Sequence, residues 1–163
     1  VKLTCGDVGK LTRIADSVGA SDFYSRHPRK NADAPFLVLG GFADFIVPSA
    51  FSAGHGAIVG LGNVAPHAAV RCFTLGAQAL EDRAALAEAQ RVQGIVARGD
   101  FTVAKAGIPG TKWLLEKMHG YGGVCRRPLP PFPVAAQEAL WAHPHVQELV
   151  ALERSLAGKT AKV

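Results

Sequence analysis

Apolar positions along this chain fall into short continuous runs and longer stretches of helical period, and the alternation of the two outlines its elements. Val1 to Thr4 reads as the end of a strand, after which Gly6-Asp7 turns the chain into a helix with Asp7 as N-cap. Val8, Leu11, Ile14, Ala15 and Val18 share one face of that helix, and Lys10, Thr12, Arg13 and Asp16 take the other. Residues 19–35 have no period and carry His27-Pro28-Arg29-Lys30, which predicts a surface loop. Phe36 to Leu39 is an apolar run stopped by Gly40-Gly41, the pattern of a buried parallel strand followed by a sharp turn. An apolar helix from Ala43 to Ala53 ends at Gly54-His55-Gly56, and Ala57 to Gly60 then predicts another buried strand. The order is β-α-β-α-β, which with right-handed crossovers makes a parallel sheet or part of a (β/α) barrel.

Everything downstream reads as helix. One helix enters at Asn63 to Pro66, where proline suits the first turn, and runs to about Leu80. Another spans Asp82 to about Lys105, interrupted at Gly94 and Gly99. A third covers Thr111 to Met118 and closes at Gly120-Tyr121-Gly122-Gly123. The prolines after Arg126-Arg127 extend the chain before two last helices, Val134 to Trp141 and Pro144 to about Leu156, and the tail Gly158 to Val163 is expected to fray. This divides the chain into a partial barrel at residues 1–80 and a helical region at 81–163. Three strands in an open sheet leave edges unpaired, which is unusual for a self-sufficient parallel domain.

Composition narrows the class. The 163 residues include 48% hydrophobic and 19% charged residues, with 18 Gly and 10 Pro, a balance that suits a compact α/β protein and excludes disorder and coiled coil. A net charge of +5 favours acidic small molecules and is weak support for nucleic acid. Cys5, Cys72 and Cys125 are odd in number and form no CxxC pair, against a disulfide scaffold or zinc site. The charge-free stretch from Phe45 to Val70 is broken by proline and glycine, so it is read as buried helix, turn and strand rather than a membrane span. The chain begins at Val1 with no visible secretory signal; its compartment is undetermined, with an intracellular site, cytoplasmic or mitochondrial, expected.

The carboxyl ends of parallel strands are where such sheets and barrels place ligands, and Lys2 lies there beside Thr4. Burial among Leu3 and other apolar side chains would disfavour the ammonium, and a neutral amine can attack a keto group. On position alone an exposed terminal lysine remains the plainer alternative. An ordered series of segments changes the balance: Val1-Lys2-Leu3-Thr4-Cys5-Gly6-Asp7, Leu39-Gly40-Gly41-Phe42-Ala43-Asp44-Phe45, Gly54-His55-Gly56-Ala57-Ile58, Asn63-Val64-Ala65-Pro66, Gly107-Ile108-Pro109-Gly110-Thr111-Lys112, and Gly120 to Leu129. Over residues 1–132 this series resembles the dihydrodipicolinate synthase / N-acetylneuraminate lyase family, especially its eukaryotic 4-hydroxy-2-oxoglutarate aldolase-like and fungal 3-deoxy-hexulosonate aldolase branches.

The resemblance implies the carboxyl-terminal portion of a (β/α)8 barrel with a helical extension, acting as a class I aldolase on pyruvate and an aldehyde. Lys2 matches the Schiff-base lysine, Thr4 a hydroxyl-bearing position near the imine, Gly41 the turn where backbone approaches substrate, and Ile58 a residue whose main chain borders the pyruvyl group. Asp44 falls near positions that contact aldehyde-side hydroxyls, but Ala43 departs from the carboxylate pair found there, which counts against sialic acid. No cofactor or metal is implied, no nucleic acid or membrane partner is expected, and a homo-oligomer is expected for a full-length protein. The loop that holds the pyruvate carboxylate and the tyrosine that relays protons have no counterpart here, since Tyr24 and Tyr121 match neither. This chain alone is therefore expected to be nearly inactive, and a non-catalytic fragment or pseudoenzyme completed by a partner is the alternative.

The remaining candidates have plainer expectations. His143-Pro144-His145 is read as a helix entry, His55 as a turn residue, and Arg126 and Arg127 as packing or ion-pairing groups. The three cysteines are expected to be buried or half-buried thiols, and Trp113 and Trp141 to be core or interface residues.

Overall fold

The structure, a computed structural model, describes residues 1–160. Strands β1 (Lys2–Leu3), β2 (Leu39–Gly40) and β3 (Gly56–Ala57) form one parallel sheet in that order. Lys2 pairs with Leu39 and Leu39 with Gly56, while Leu3 pairs with Gly40 and Gly40 with Ala57. The ladder bonds reach slightly further: His55 N–H donates to the Val38 carbonyl at 2.8 Å, and Ile58 N–H to the Gly40 carbonyl at 2.9 Å. The strands are shorter than the apolar runs that predict them. Phe36 is drawn away from the ladder, stacking edge-on to Phe23 and donating its N–H to the Tyr24 hydroxyl at 3.0 Å. After Ala57 the chain turns at Gly60–Asn63 instead of continuing as strand.

Helix α1 (Val8–Gly19) starts where expected, with Asp7 accepting the Lys10 N–H at 2.9 Å. Its Leu11 and Ala15 are buried with Leu3, Val38 and Phe45, and Val8, Ile14 and Val18 flank this cluster. The expected loop at 19–35 contains a short helix, α2 (Phe23–Arg26), because Phe23 is buried beneath Tyr24, His27 and Phe36. After β2, a 3-10 turn at Ala43–Phe45 leads into α3 (Ile46–Phe51), and β3 is followed by α4 (Pro66–Glu81), with Pro66 in its first turn. The uncharged stretch 45–70 is thus helix, strand and helix start, and no helix among the described residues is long and apolar enough to cross a membrane.

Helix α5 (Leu86–Lys105) runs unbroken through both Gly94 and Gly99. At Gly99 a Cβ would lie 2.8 Å from Leu149 Cδ2, so the glycine serves a close helix crossing rather than a break. Helix α6 (Gly107–His119) begins four residues before its expected start and ends on Gly120, whose φ of 73° is the left-handed cap glycine tolerates. A segment containing a cis Arg127–Pro128 bond leads to α7 (Val134–Ala142) and α8 (Pro144–Thr160). Gly158–Thr160 continue α8 rather than fraying, and the rest of the tail, residues 161–163, lies outside the described residues. The main core joins α3, α4, α5 and α8 through Val47, Ala68, Cys72, Val92, Val96 and Leu149.

Side chains alternate across the sheet with period two. Leu3, Val38, Ala57 and Val59 point toward the helices, and Leu3 and Val38 are buried. The other face carries Lys2, Thr4, Leu37, Leu39 and Ile58; Leu37 is 41% and Ile58 53% exposed, so no layer of the described chain covers it.

Candidate active site

The carboxyl end of β1 passes through Thr4 to Gly6, whose φ of 68° makes the turn into α1. The turn after β2 lies directly on that end. A Cβ at Gly41 would meet Thr4 Cα at 2.6 Å and the Leu3 carbonyl oxygen at 2.7 Å, so only glycine lets the two strand ends touch. Ile58 stands at the same level on β3, joined to β2 by its N–H bond to Gly40. Lys2 pairs with Leu39 and lies with it on the uncovered face, while Thr4 and Gly41 meet just past the ends of β1 and β2 and Ile58 stands just past β3. Lys2 itself is exposed, not buried: Leu3 points to the opposite face and contributes no apolar wall around it.

Beyond Gly41, the turn is held from behind by α5. Asp100, only 7% exposed, accepts the Ala43 N–H on Oδ2 at 2.8 Å. Gln93, 8% exposed, donates from Nε2 to the Ala43 carbonyl at 2.9 Å and accepts the Val47 N–H on Oε1 at 2.7 Å. Burial raises the Asp100 pKa, the Ala43 N–H opposes this, and the nearby charge of Asp44 adds to the rise. Asp44 is raised as well, by burial against the opposing pull of its own N–H, and its Oδ1 is a buried atom with no hydrogen-bond partner. A cavity of about 360 Å³ opens here between Gly6, Phe42, Asp44, Asp100, Phe101 and Lys105. The Lys105 ammonium sits 4.3 Å from the centre of the Phe101 ring.

Asp100 and Gln93 are not found by reading local motifs. They left one signal, two polar residues within the apolar stripe Val92, Val96, Gly99 and Val103 of α5, where a polar group needs a partner.

The other candidates are placed as follows. His55 serves the turn, its Nδ1 accepting the Val38 N–H at 3.1 Å. His143 Nδ1 accepts the His145 N–H at 3.2 Å at the entry to α8, and no cluster of three or more metal-ligating side chains occurs among the described residues. Tyr24 binds the Phe36 N–H, and Tyr121, 61% exposed, stacks on His119. Trp113 and Trp141 pack against the core. Cys72 is buried and Cys125 half-buried, but Cys5, expected to be at least half-buried, is exposed beside Thr4.

No family model matches the chain. It is 34% identical over 155 residues to the L-threo-3-deoxy-hexylosonate aldolase of Hypocrea jecorina, covering 95% of this chain and 45% of that protein. It is 36% identical over 155 residues to the "Probable 4-hydroxy-2-oxoglutarate aldolase, mitochondrial" of Emericella nidulans, covering 95% of this chain and 43% of the relative. Among solved structures, a dihydrodipicolinate synthase family protein from Coccidioides immitis superposes with a TM-score of 0.69 at 25% identity, over 96% of this chain and 47% of the other. The chain spans about half the length of the curated relatives it matches.

Proposed function

This chain has the sequence and the fold of the carboxyl-terminal half of the dihydrodipicolinate synthase family, and from that premise we propose that it supplies the Schiff-base half of a pyruvate-dependent class I aldolase. The fold is α/β, the end portion of a (β/α)8 barrel followed by a helical extension. The uncovered sheet face is taken as the barrel interior, and the observation that carries the proposal is that Lys2 lies on that face while Thr4, Gly41 and Ile58 gather beyond it at the carboxyl ends of the three strands.

The chemistry follows from the substrates named for the curated relatives. Both a 4-hydroxy-2-oxoglutarate and a 3-deoxy-hexulosonate carry a 2-keto acid with a hydroxyl on C4. Lys2 Nζ adds to the C2 carbonyl, and loss of water leaves a protonated imine. Removal of the C4 hydroxyl proton breaks the C3–C4 bond; the electron pair flows into the imine, giving an enamine and releasing an aldehyde. Protonation of the enamine at C3 and hydrolysis of the imine then return pyruvate and free Lys2. No metal is required, because the iminium nitrogen takes the electron pair. Thr4 offers a hydroxyl beside the imine, and the Gly41 and Ile58 backbones border the pyruvyl group.

A second reading rests on the open sheet. With Ile58, Leu37 and Lys2 exposed and the outer edges of β1 and β3 unpaired among the described residues, the chain encloses no dry site, and it acts as a non-catalytic half that needs a partner to complete its barrel. Reductive trapping distinguishes the two: incubation with pyruvate and cyanoborohydride adds a reduced pyruvyl group to the chain on the first reading and leaves the mass unchanged on the second.

A further inference from the structure

Resting on that reading, we propose that Asp100, seconded by Gln93, is a positioning residue of the active site: from α5 it holds the turn Gly41–Asp44 against the carboxyl end of β1, and so sets where the Gly41 backbone meets the keto acid.

Two ends of the turn are fixed independently. At Gly41 it rests on Thr4 with no room for a side chain, a contact that excludes other positions but supplies no attraction of its own. Two residues on, the Asp100 carboxylate takes the Ala43 N–H at 2.8 Å, and Gln93 takes both the Ala43 carbonyl and the Val47 N–H. Ala43 N–H opens the 3-10 turn that leads into α3, so no residue of its own helix can satisfy it. Phe42, the N-cap of that turn, has no capping side chain. Asp100 supplies the missing acceptor from 57 residues away. A buried carboxylate is an expensive way to stabilise a turn, and an asparagine would accept the same N–H without the charge. A carboxylate fixes the direction of that N–H more tightly, because charge-assisted bonds are shorter and stronger than neutral ones. The helical region is thereby tied to the site's geometry as well as to the core: α5 touches no proposed reacting atom, yet it sets the height of the turn that does.

The test uses the whole chain and three variants: Asp100→Ala, which removes the acceptor; Asp100→Asn, which keeps it; and Gln93→Met, which removes the second anchor at nearly constant volume. Val146→Ala, a truncation in the core of α8, serves as a control for lost stability. The readouts are the rate of pyruvate trapping at Lys2 with cyanoborohydride and the exchange rate of the Ala43 amide by NMR. The proposal expects Asp100→Ala to slow trapping about tenfold and to speed Ala43 exchange by a similar factor, the loss typical of one buried donor left unpaired. Asp100→Asn restores most of both, Gln93→Met falls between, and Val146→Ala changes neither beyond its global destabilisation. Equal trapping in wild type and Asp100→Ala overturns the proposal, as does an equal fall in Val146→Ala. If wild type itself does not trap, the Lys2 reading fails separately. The Ala43 amide then decides the clamp: unchanged exchange in Asp100→Ala or, should that variant not fold, in Gln93→Met overturns it, and faster exchange upholds it.

Discussion

Glu153 on α8 caps the amino end of α4 from 85 residues away: its Oε2 accepts the Ala68 N–H at 2.8 Å and its Oε1 the His67 N–H at 3.1 Å. The same Oε1 lies 2.6 Å from His67 Nδ1, and Glu153 is 6% exposed. Ala65 at the N-cap position has no side chain that can do this, so the cap has to come from elsewhere in the fold. Glu153→Ala should therefore lower stability by about 1–3 kcal/mol, the cost of buried N–H donors left without acceptors. Glu153→Gln should cost less, since its amide keeps one acceptor oxygen. Urea unfolding followed by circular dichroism measures both, and an alanine variant as stable as wild type would contradict the cap.

Asp100 predicts a pH signature. Its pKa is raised in the fold, chiefly by burial and further by Asp44, so the protonated form is more favoured in the folded chain than in the unfolded one. The stability that follows is fully present below the ordinary aspartate value of about 3.9 and is lost as pH rises through the raised folded value. Asp100→Asn, permanently neutral, should match wild type in acid and exceed it in stability near neutrality. Thermal unfolding of the two chains across this range checks the sign; an Asn variant that is less stable at neutral pH and equal in acid would reverse it.

Two glycines in one helix should respond in opposite directions to the same change. Gly94→Ala adds a Cβ that would meet the flexible end of Arg98 at 3.4 Å, and should stabilise α5 by about 0.5–1 kcal/mol. Gly99→Ala drives a Cβ to 2.8 Å from Leu149 and should destabilise, by about 1–3 kcal/mol if the α5–α8 crossing cannot open. Chemical denaturation of the pair is the check, and equal effects at both positions would refute the close crossing.

The thiols should divide by burial. Cys72 is fully buried and its pKa is pushed up to about 12 by desolvation, whereas Cys5 is exposed at the end of β1. An aromatic disulfide reagent should label Cys5 in the folded chain and reach Cys72 only with denaturant. Labelling of Cys72 as fast as Cys5 in buffer would contradict the packing of α4.

The parts of this fold that were legible are those governed by neighbours in sequence. Asp7 caps the helix it precedes, Leu11 and Ala15 face inward because their spacing puts them there, and Pro66 and Gly120 mark helix ends by their own backbone preferences. The order of strands and helices followed from the same signals and carried Lys2, Thr4, Gly41 and Ile58 to the strand ends, whereas the roles proposed for them rest on the resemblance of an ordered series of segments. Long-range partners decided what was not legible. Phe23 forms a helix because Phe36 packs on it, Gly99 is a contact with Leu149 rather than a stop, and Lys2 is exposed because no layer of the described residues covers its face. Asp100, Gln93 and Glu153 cap or clamp backbone 46 to 86 residues away, a distance over which no local pattern carries information.

Reductive trapping followed by peptide mapping decides whether Lys2 forms the proposed imine. With pyruvate and cyanoborohydride a single reduced pyruvyl adduct is expected on the peptide carrying Lys2, absent without pyruvate and absent in Lys2→Arg. An unmodified Lys2, or an adduct spread over the exposed lysines Lys10 and Lys30 as readily as over Lys2, would rule that imine out.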